Sequence, residues 1–160
     1  MTEFPLDLPG RVFGSAMPFG IYDQEHRIFE ELKRQTISVV VILAEDHKCL
    51  EQTGRNLPVL YSEHNLGIIS LPICNYGVPA QGPLEQAIAT TIEHARFKHN
   101  ALIHCSAGIG RTAFFAAFLA MRVLKLSGRK ASRWIGDCYP RALLTPVQID
   151  LEQDTDPITS

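Results

Sequence analysis

Short apolar runs, separated by segments with helical spacing, set the predicted architecture of the chain. The longest run, Ser38–Ala44 (SVVVILA), is apolar and rich in β-branched residues, which is typical of a strand buried on both faces in a parallel sheet. The apolar runs Ile68–Ile73 and Ala101–His104 predict two further buried strands, and Arg11–Ala16 predicts a weaker one.

Helical patterns fill the intervals between these strands. Asp23 is a candidate cap for a helix that continues to about Gln35. Further helices are predicted at about 57–64, 83–98, 110–126 and 131–137, and a last one begins at Pro146 behind a Thr145 cap. Strands that alternate with helices predict an α/β fold with a mainly parallel central sheet. Ligands of such sheets bind at the carboxyl ends of the strands.

Composition narrows the class of protein. The 160 residues favour a single domain, which we place at residues 1–152, followed by a polar, flexible tail at 153–160. Hydrophobic residues make up 46% and charged residues 20%, as in globular proteins. A net charge of −2 supplies no general attraction to nucleic acid, and no apolar run is long enough to span a membrane. We expect a monomer in the cytoplasm, with neither nucleic acid nor membrane as a partner.

The four cysteines are Cys49, Cys74, Cys105 and Cys138. They are widely spaced and form no C-x-x-C pair, and no Cys/His cluster has the spacing of a zinc site. A chain of this size does not need disulfides, so we expect reduced thiols and no metal.

The segment His104–Thr112 (HCSAGIGRT) concentrates the candidate chemistry. Gly108 and Gly110 allow a tight turn that brings backbone N–H groups inward next to a helix N-terminus, which makes an anion site. Arg111 adds a planar cationic fork suited to phosphate oxygens. Cys105 faces this positive field, which favours its thiolate. The segment therefore predicts a phosphate-binding loop with Cys105 as nucleophile. In the alternative interpretation, Cys105 is a buried apolar residue and Arg111 a helix-surface charge.

The same segment resembles the H-C-x5-R-[ST] motif of the cysteine-dependent protein tyrosine phosphatase superfamily. The match is complete at His104, Cys105, Arg111 and Thr112. The small size, and Leu71–Ile73 before a Gly/Pro-rich loop, resemble the compact dual-specificity branch. The chain is similar to the cyclin-dependent kinase-associated phosphatase and to small archaeal and bacterial relatives. The resemblance implies the three-layer fold of that branch over about residues 11–152.

The resemblance also implies roles for individual residues. Cys105 would attack phosphorus and form a phosphocysteine, which water then cleaves. Thr112 would hydrogen-bond the sulfur, His104 would support the loop, and Gln148 would help to place the hydrolytic water. The phosphate would be bound by Ser106, Ala107, Gly108, Ile109, Gly110 and Arg111. No cofactor is implied.

One position departs from the family pattern. Relatives supply an Asp general acid from a loop upstream of the cysteine, and the matching position here is Asn75, whose amide cannot donate a proton in this role. Glu45 and Asp46 follow the central strand and resemble an acidic stretch that contacts the catalytic arginine in some relatives, although solvated loop charges are the simpler interpretation. If no other residue supplies the acid, two possibilities are left. The protein is a slow enzyme that favours good leaving groups, or it captures phosphorylated partners with little turnover.

The loop interior bears on the substrate. Residues 106–110 contain no Lys or Arg, whereas phosphoinositide phosphatases of this superfamily tend to place lysines there. This absence favours a phosphorylated protein or peptide with phosphotyrosine, and leaves phosphoserine and phosphothreonine open. A phosphoinositide or small-molecule phosphatase is the alternative.

Overall fold

A computed structural model describes residues 1–154, apart from the side chains of residues 147 and 152–154. Within this range the chain forms five strands and seven helices. In chain order they are β1 (Thr2–Phe4), β2 (Val12–Ser15), α1 (Ile28–Arg34), β3 (Ile37–Ile42), α2 (Asp46–Thr53), α3 (Leu57–Glu63), β4 (Gly67–Ser70), α4 (Gln81–Arg96), β5 (Asn100–His104), α5 (Arg111–Val123), α6 (Gly128–Cys138) and α7 (Pro146–Asp154).

The five strands form one sheet in the order β1-β2-β5-β3-β4. The pairs β2–β5, β5–β3 and β3–β4 are parallel, and only β1 at the edge is antiparallel. The register places Ser15 and Ile42 beside His104, so three strands end at the same level. This arrangement confirms the predicted α/β fold, and it places the segment after β5 at the carboxyl edge of the sheet.

Alternate side chains of β3 pack into two separate cores, as its uniformly apolar sequence predicts. Val39 and Val41 belong to the core shared with α4, α5 and α6. Val40 and Ile42 belong to the core on the opposite face, shared with α1 and α3. Strand β5 alternates in the same way, since Ala101 and Ile103 pack on the first side and Leu102 on the second. Helices therefore cover both faces of the sheet.

Two local predictions need correction, and two elements had not been predicted. The helix expected from Asp23 begins at Ile28. The Asp23 carboxylate accepts hydrogen bonds from the N–H groups of Arg27 and Ile28, at 3.0 and 3.4 Å. It also accepts one from the Phe19 N–H at 2.9 Å, and this bond closes a turn before the helix. Strand β1 and helix α2 were not predicted. At the C-terminus, α7 continues to Asp154, two residues into the predicted tail, and residues 155–160 lie outside the described part of the chain.

Candidate active site

The loop of residues 105–110 leaves β5 and turns sharply into α5. Gly108 makes this turn possible, because its φ of +76° is a conformation that side-chain-bearing residues avoid. There is also no room for a side chain, since a Cβ atom at Gly108 would lie 2.4 Å from the carbonyl oxygen of Ser15. The neighbouring strand therefore fixes the path of the loop.

Three contacts from other segments hold the backbone carbonyls of the loop outward. The Met17 N–H donates to the carbonyl of Ser106 at 2.9 Å, and the Leu143 N–H donates to that of Ile109 at 2.8 Å. The Tyr139 hydroxyl donates to the carbonyl of Gly108. Burial raises the pKa of Tyr139 to about 12, so this hydroxyl keeps its proton and stays a donor at neutral pH.

The sulfur of Cys105 lies at the base of the loop, and the residue is 2% exposed. Its Sγ accepts hydrogen bonds from the Gly108 N–H at 3.3 Å and from the Thr112 hydroxyl at 3.2 Å. Both donors belong to the segment His104–Thr112, so the structure brings Cys105, Gly108 and Thr112 together.

Arg111 begins α5 and is 5% exposed. Its Nη1 donates to the carbonyl oxygen of Ile73 at 2.8 Å. Among the side chains that the structure describes, no carboxylate oxygen lies within 4.0 Å of its guanidinium. A buried cation without an ion-pair partner is costly, so its charge is available for an anion in the adjoining pocket.

His104 lies on the opposite face of β5 from Cys105 and is fully buried. Burial lowers its pKa to about 4, so the ring is neutral at pH 7. Its Nδ1 is 3.2 Å from the carbonyl of Cys105, which can only accept, and its Nε2 is 2.8 Å from the Tyr61 hydroxyl. The neutral ring therefore donates from Nδ1 and accepts from Tyr61, and it anchors the start of the loop from below.

A pocket of about 140 Å³ opens above Cys105. Ligand pockets commonly span about 300–1,000 Å³, so this one encloses little more than a phosphate group. Its walls combine the predicted loop with residues from three other parts of the chain, at 22, 75–76 and 143–148. The lining residues are Tyr22, Asn75, Tyr76, Cys105, Ser106, Ala107, Ile109, Gly110, Arg111, Leu143, Thr145 and Gln148.

The predicted acids are not part of this lining. Glu45 is the N-cap residue just before α2, and Asp46 borders a different surface depression, between α2 and α3. None of the residues found to line the pocket carries a carboxylate. Asn75 does line it, on the exposed loop of residues 74–79, which we call the Asn75 loop.

Several residues of the site went unnoticed in the sequence. Tyr22, Tyr76 and Leu143 form the exposed rim of the pocket, and they are 56%, 71% and 65% exposed. Gln52 on α2 accepts a hydrogen bond from the Ser106 hydroxyl at 2.7 Å. No local pattern marks Tyr22, Leu143 or Gln52. Tyr139-Pro140, by contrast, is recognisable in the sequence as the end of a helix. The sequence does not show that the Tyr139 hydroxyl contacts the carbonyl of Gly108.

In the described part of the chain, no group of three or more His, Cys, Asp or Glu side chains is arranged to hold a metal ion. Over the same residues, none of the helices has the length and apolar character needed to cross a membrane.

Solved phosphatase structures share this fold. Kinase associated phosphatase (KAP) with serine in place of its catalytic-site cysteine superposes with a TM-score of 0.84 and 19% identity, over 96% of this chain and 91% of that one. The active form of Tk-PTP superposes with a TM-score of 0.76 and 25% identity, over 96% of each chain. PTPMT1 in complex with PI(5)P superposes with a TM-score of 0.77 and 15% identity, over 96% of this chain and 94% of that one.

Sequence comparison gives two results. No curated protein matches the chain. A family model described as "Tc-R-P: Polymorphic toxin system, DSP-PTPase phosphatase" matches residues 14–123, well over half of the 160 residues, and this range spans the predicted loop. The resemblance inferred from the H-C-x5-R-[ST] motif is thereby confirmed: the chain belongs to this DSP-PTPase phosphatase family.

Proposed function

We propose that the protein hydrolyses phosphate monoesters through a phosphocysteine at Cys105. The thiolate attacks phosphorus, the bond from phosphorus to the substrate oxygen breaks, and that oxygen leaves as an anion that water then protonates. Water then attacks the phosphocysteine, the phosphorus–sulfur bond breaks, and inorganic phosphate departs as the thiolate is restored. The observation that carries this proposal is the sulfur of Cys105 at the base of a phosphate-sized pocket, with two hydrogen-bond donors directed at it.

The two hydrogen bonds support both steps. A thiolate accepts hydrogen bonds more strongly than a thiol, so the Gly108 N–H and the Thr112 hydroxyl stabilise the charged nucleophile before attack. They stabilise the same charge when the sulfur leaves in the second step. Thr112 is fully buried, so water does not compete for its proton.

Arg111 and the backbone of the loop are proposed to hold the transferred phosphoryl group. The N–H groups of 106–111 precede and begin α5, where the helix dipole favours an anion. Arg111 uses one donor on Ile73 and lacks a carboxylate partner among the described residues, so its remaining donors can meet the equatorial oxygens. Phosphate would thus supply the charge that this buried cation lacks.

The absence of a carboxylate from the observed lining predicts a preference for good leaving groups. Without a positioned acid, the departing oxygen must leave with little protonation. The phenol of tyrosine has a pKa of about 10, far lower than that of a serine or threonine hydroxyl. We therefore propose that aryl phosphates are the better substrates and that alkyl phosphates turn over slowly.

The rim of the pocket supports the same choice of substrate. Tyr22, Tyr76 and Leu143 expose large apolar surfaces around the phosphate site. An aromatic ring gains both area burial and ring contacts in such surroundings. A phosphotyrosine side chain would place its phosphate on the loop and its ring between these residues, with the peptide lying across the surface.

A phosphoinositide substrate is the second candidate, because the solved complex of PTPMT1 with PI(5)P has this fold. The lining of the present pocket argues against a polyanionic headgroup. Arg111 is the only cation among the lining residues that the structure describes. Further phosphates on an inositol ring would meet the apolar rim instead of positive charge.

Hydrolysis of p-nitrophenyl phosphate by the wild type and by Cys105→Ser tests the proposal. We expect turnover and a phosphoryl adduct on the Cys105 peptide in acid-quenched wild-type samples, and neither in the variant. No turnover with retained phosphopeptide binding would show a phosphate-binding protein instead. A panel of phosphotyrosine, phosphoserine and phosphothreonine peptides and inositol lipids then tests the substrate, and faster release of phosphate from the lipids would overturn the phosphotyrosine proposal.

A further inference from the structure

The Asn75 loop is tied to the start of α7 by side-chain hydrogen bonds. The Thr145 hydroxyl donates to the carbonyl of Tyr76 at 3.2 Å, and the Gln148 Nε2 donates to the carbonyl of Gly77 at 3.0 Å. Arg111 holds the residue just before the loop through the carbonyl of Ile73. Successive parts of the segment that crosses the pocket are therefore anchored from α5 and α7.

The amide of Gln148 is oriented by the protein at both of its ends. Its Oε1 accepts from the Thr145 N–H at 3.0 Å while its Nε2 donates to Gly77, and the residue is 1% exposed. The family resemblance implied that this amide places the hydrolytic water. In this structure its orientation is set instead by the loop that carries Asn75.

The backbone of the loop requires such anchoring. Tyr76 has a φ of +65°, which is rare for a bulky residue, in a turn closed by the Gly77 N–H donating to the carbonyl of Cys74 at 2.9 Å. Strained conformations of this kind persist only where surrounding contacts impose them. The bonds from Thr145 and Gln148 act on the carbonyls of Tyr76 and of the following residue, so they meet this requirement.

We infer that Gln148 and Thr145 are positioning residues for the first chemical step: they hold the Asn75 loop, with Asn75 and Tyr76, over the leaving group. The inference rests on the proposed phosphocysteine mechanism, and it assigns Gln148 to a step different from the one its family position implies. Loss of the anchors would let the loop move away, which slows phosphocysteine formation and leaves its hydrolysis unchanged.

Rapid mixing with p-nitrophenyl phosphate separates the two steps, because nitrophenolate is released in the first. The variants are Gln148→Ala and the pair Thr145→Val and Thr145→Ser. We expect Gln148→Ala and Thr145→Val to slow the first step by about 10-fold to 100-fold, the cost of a misplacement of about 1 Å. Their initial burst shrinks relative to the wild type, and Thr145→Ser restores the rate.

Hydrogen exchange gives an independent readout. The Gly77 amide should exchange faster in Gln148→Ala and Thr145→Val than in the wild type and Thr145→Ser. A larger burst followed by a slower steady state in Gln148→Ala would assign the residue to water placement and overturn the inference, as would an unchanged first step. If Gln148→Ala does not fold, the Thr145 pair decides the question alone. A wild type that forms no phosphocysteine refutes the proposed mechanism itself, a result distinct from these.

Discussion

Substitution of Gly108 by alanine tests how strictly the backbone forms the phosphate site. The added Cβ would lie 2.4 Å from the Ser15 oxygen, 2.5 Å from the Ser15 carbonyl carbon and 2.6 Å from the Ala16 nitrogen. All three are backbone atoms of the segment at the end of β2, so no side chain can move aside. A left-handed alanine costs about 1–2 kcal/mol, and the overlap adds about 1–3 kcal/mol. Keeping the loop as it is would therefore cost about 2–5 kcal/mol.

The chain can avoid much of this cost by turning the peptide groups on either side of position 108. That change would remove the N–H donor from the Cys105 sulfur and the carbonyl acceptor from Tyr139. We therefore expect Gly108→Ala to lose at least about 100-fold in kcat, the effect of removing one aimed donor from a reacting centre. Its free energy of unfolding should fall by less than the full steric cost. Urea unfolding and steady-state hydrolysis of p-nitrophenyl phosphate measure the two quantities.

Gly136→Ala is a matched control. This glycine lies in α6, and apart from its chain neighbours and the backbone of its own helix nothing lies within 4 Å of the Cβ position. Alanine there should leave kcat unchanged and raise the free energy of unfolding by up to about 1 kcal/mol. If Gly108→Ala retained kcat within about twofold of the wild type, the N–H of residue 108 would not be needed for stabilising sulfur or phosphate, and the reasoning above would be refuted.

Three other substitutions address the acid, the base of the loop and its outer anchor. Asn75→Asp should raise kcat/KM for a phosphoserine peptide by about 100-fold or more and add an alkaline decline to the pH–rate profile; an unchanged rate would show that leaving-group protonation does not limit turnover. Burial lowers the pKa of His104 from 6.5 to about 4, so between pH 6.5 and 4 the unfolded state binds more protons than the folded state. The free energy of unfolding therefore falls as the pH drops from 6.5 to 4, by about 3 kcal/mol in all. His104→Gln should flatten this acid limb in urea titrations from pH 7 to 4, and a limb of unchanged slope would contradict the assignment. Tyr139→Phe removes only the hydrogen bond to the Gly108 carbonyl, so it should lower the free energy of unfolding by about 1 kcal/mol and reduce kcat. A variant with the wild-type free energy of unfolding and the wild-type kcat would rule out a role for the hydroxyl.

The sheet could be predicted because burial on both faces leaves a clear trace in the sequence. Both faces of β3 are apolar, because Val39 and Val41 pack into the core on one side of the sheet and Val40 and Ile42 into the core on the other. Helix α2 leaves no such trace. Its eight residues are mostly polar and Cys49 is its only buried residue, so its position depends on the packing of Cys49 into the core shared with α1 and α3 and on the left-handed Gly54 that ends it.

Asp23 shows a different limit of local patterns. An aspartate before an apolar helical run predicts an N-cap, and its carboxylate does accept N–H groups of the residue before α1 and of its first residue. It also accepts the N–H of Phe19, and so closes a turn that delays the helix. The chemistry of the side chain was predictable, but the length of the turn was not.

The phosphate end of the pocket could be predicted from the sequence, whereas only Asn75 and Gln148 of the leaving-group end could, and this difference has a physical cause. Backbone N–H groups, one cysteine and one arginine on contiguous residues form the phosphate end, so a short motif specifies it. The rest of the other end includes Tyr22, Tyr76 and Leu143, which come from three separate segments of the chain and line one pocket in the folded protein. Each is locally an ordinary loop or helix residue. The motif therefore predicts how phosphate is held, while the choice of leaving group, and with it the consequence of Asn75, depends on contacts that only the folded chain creates.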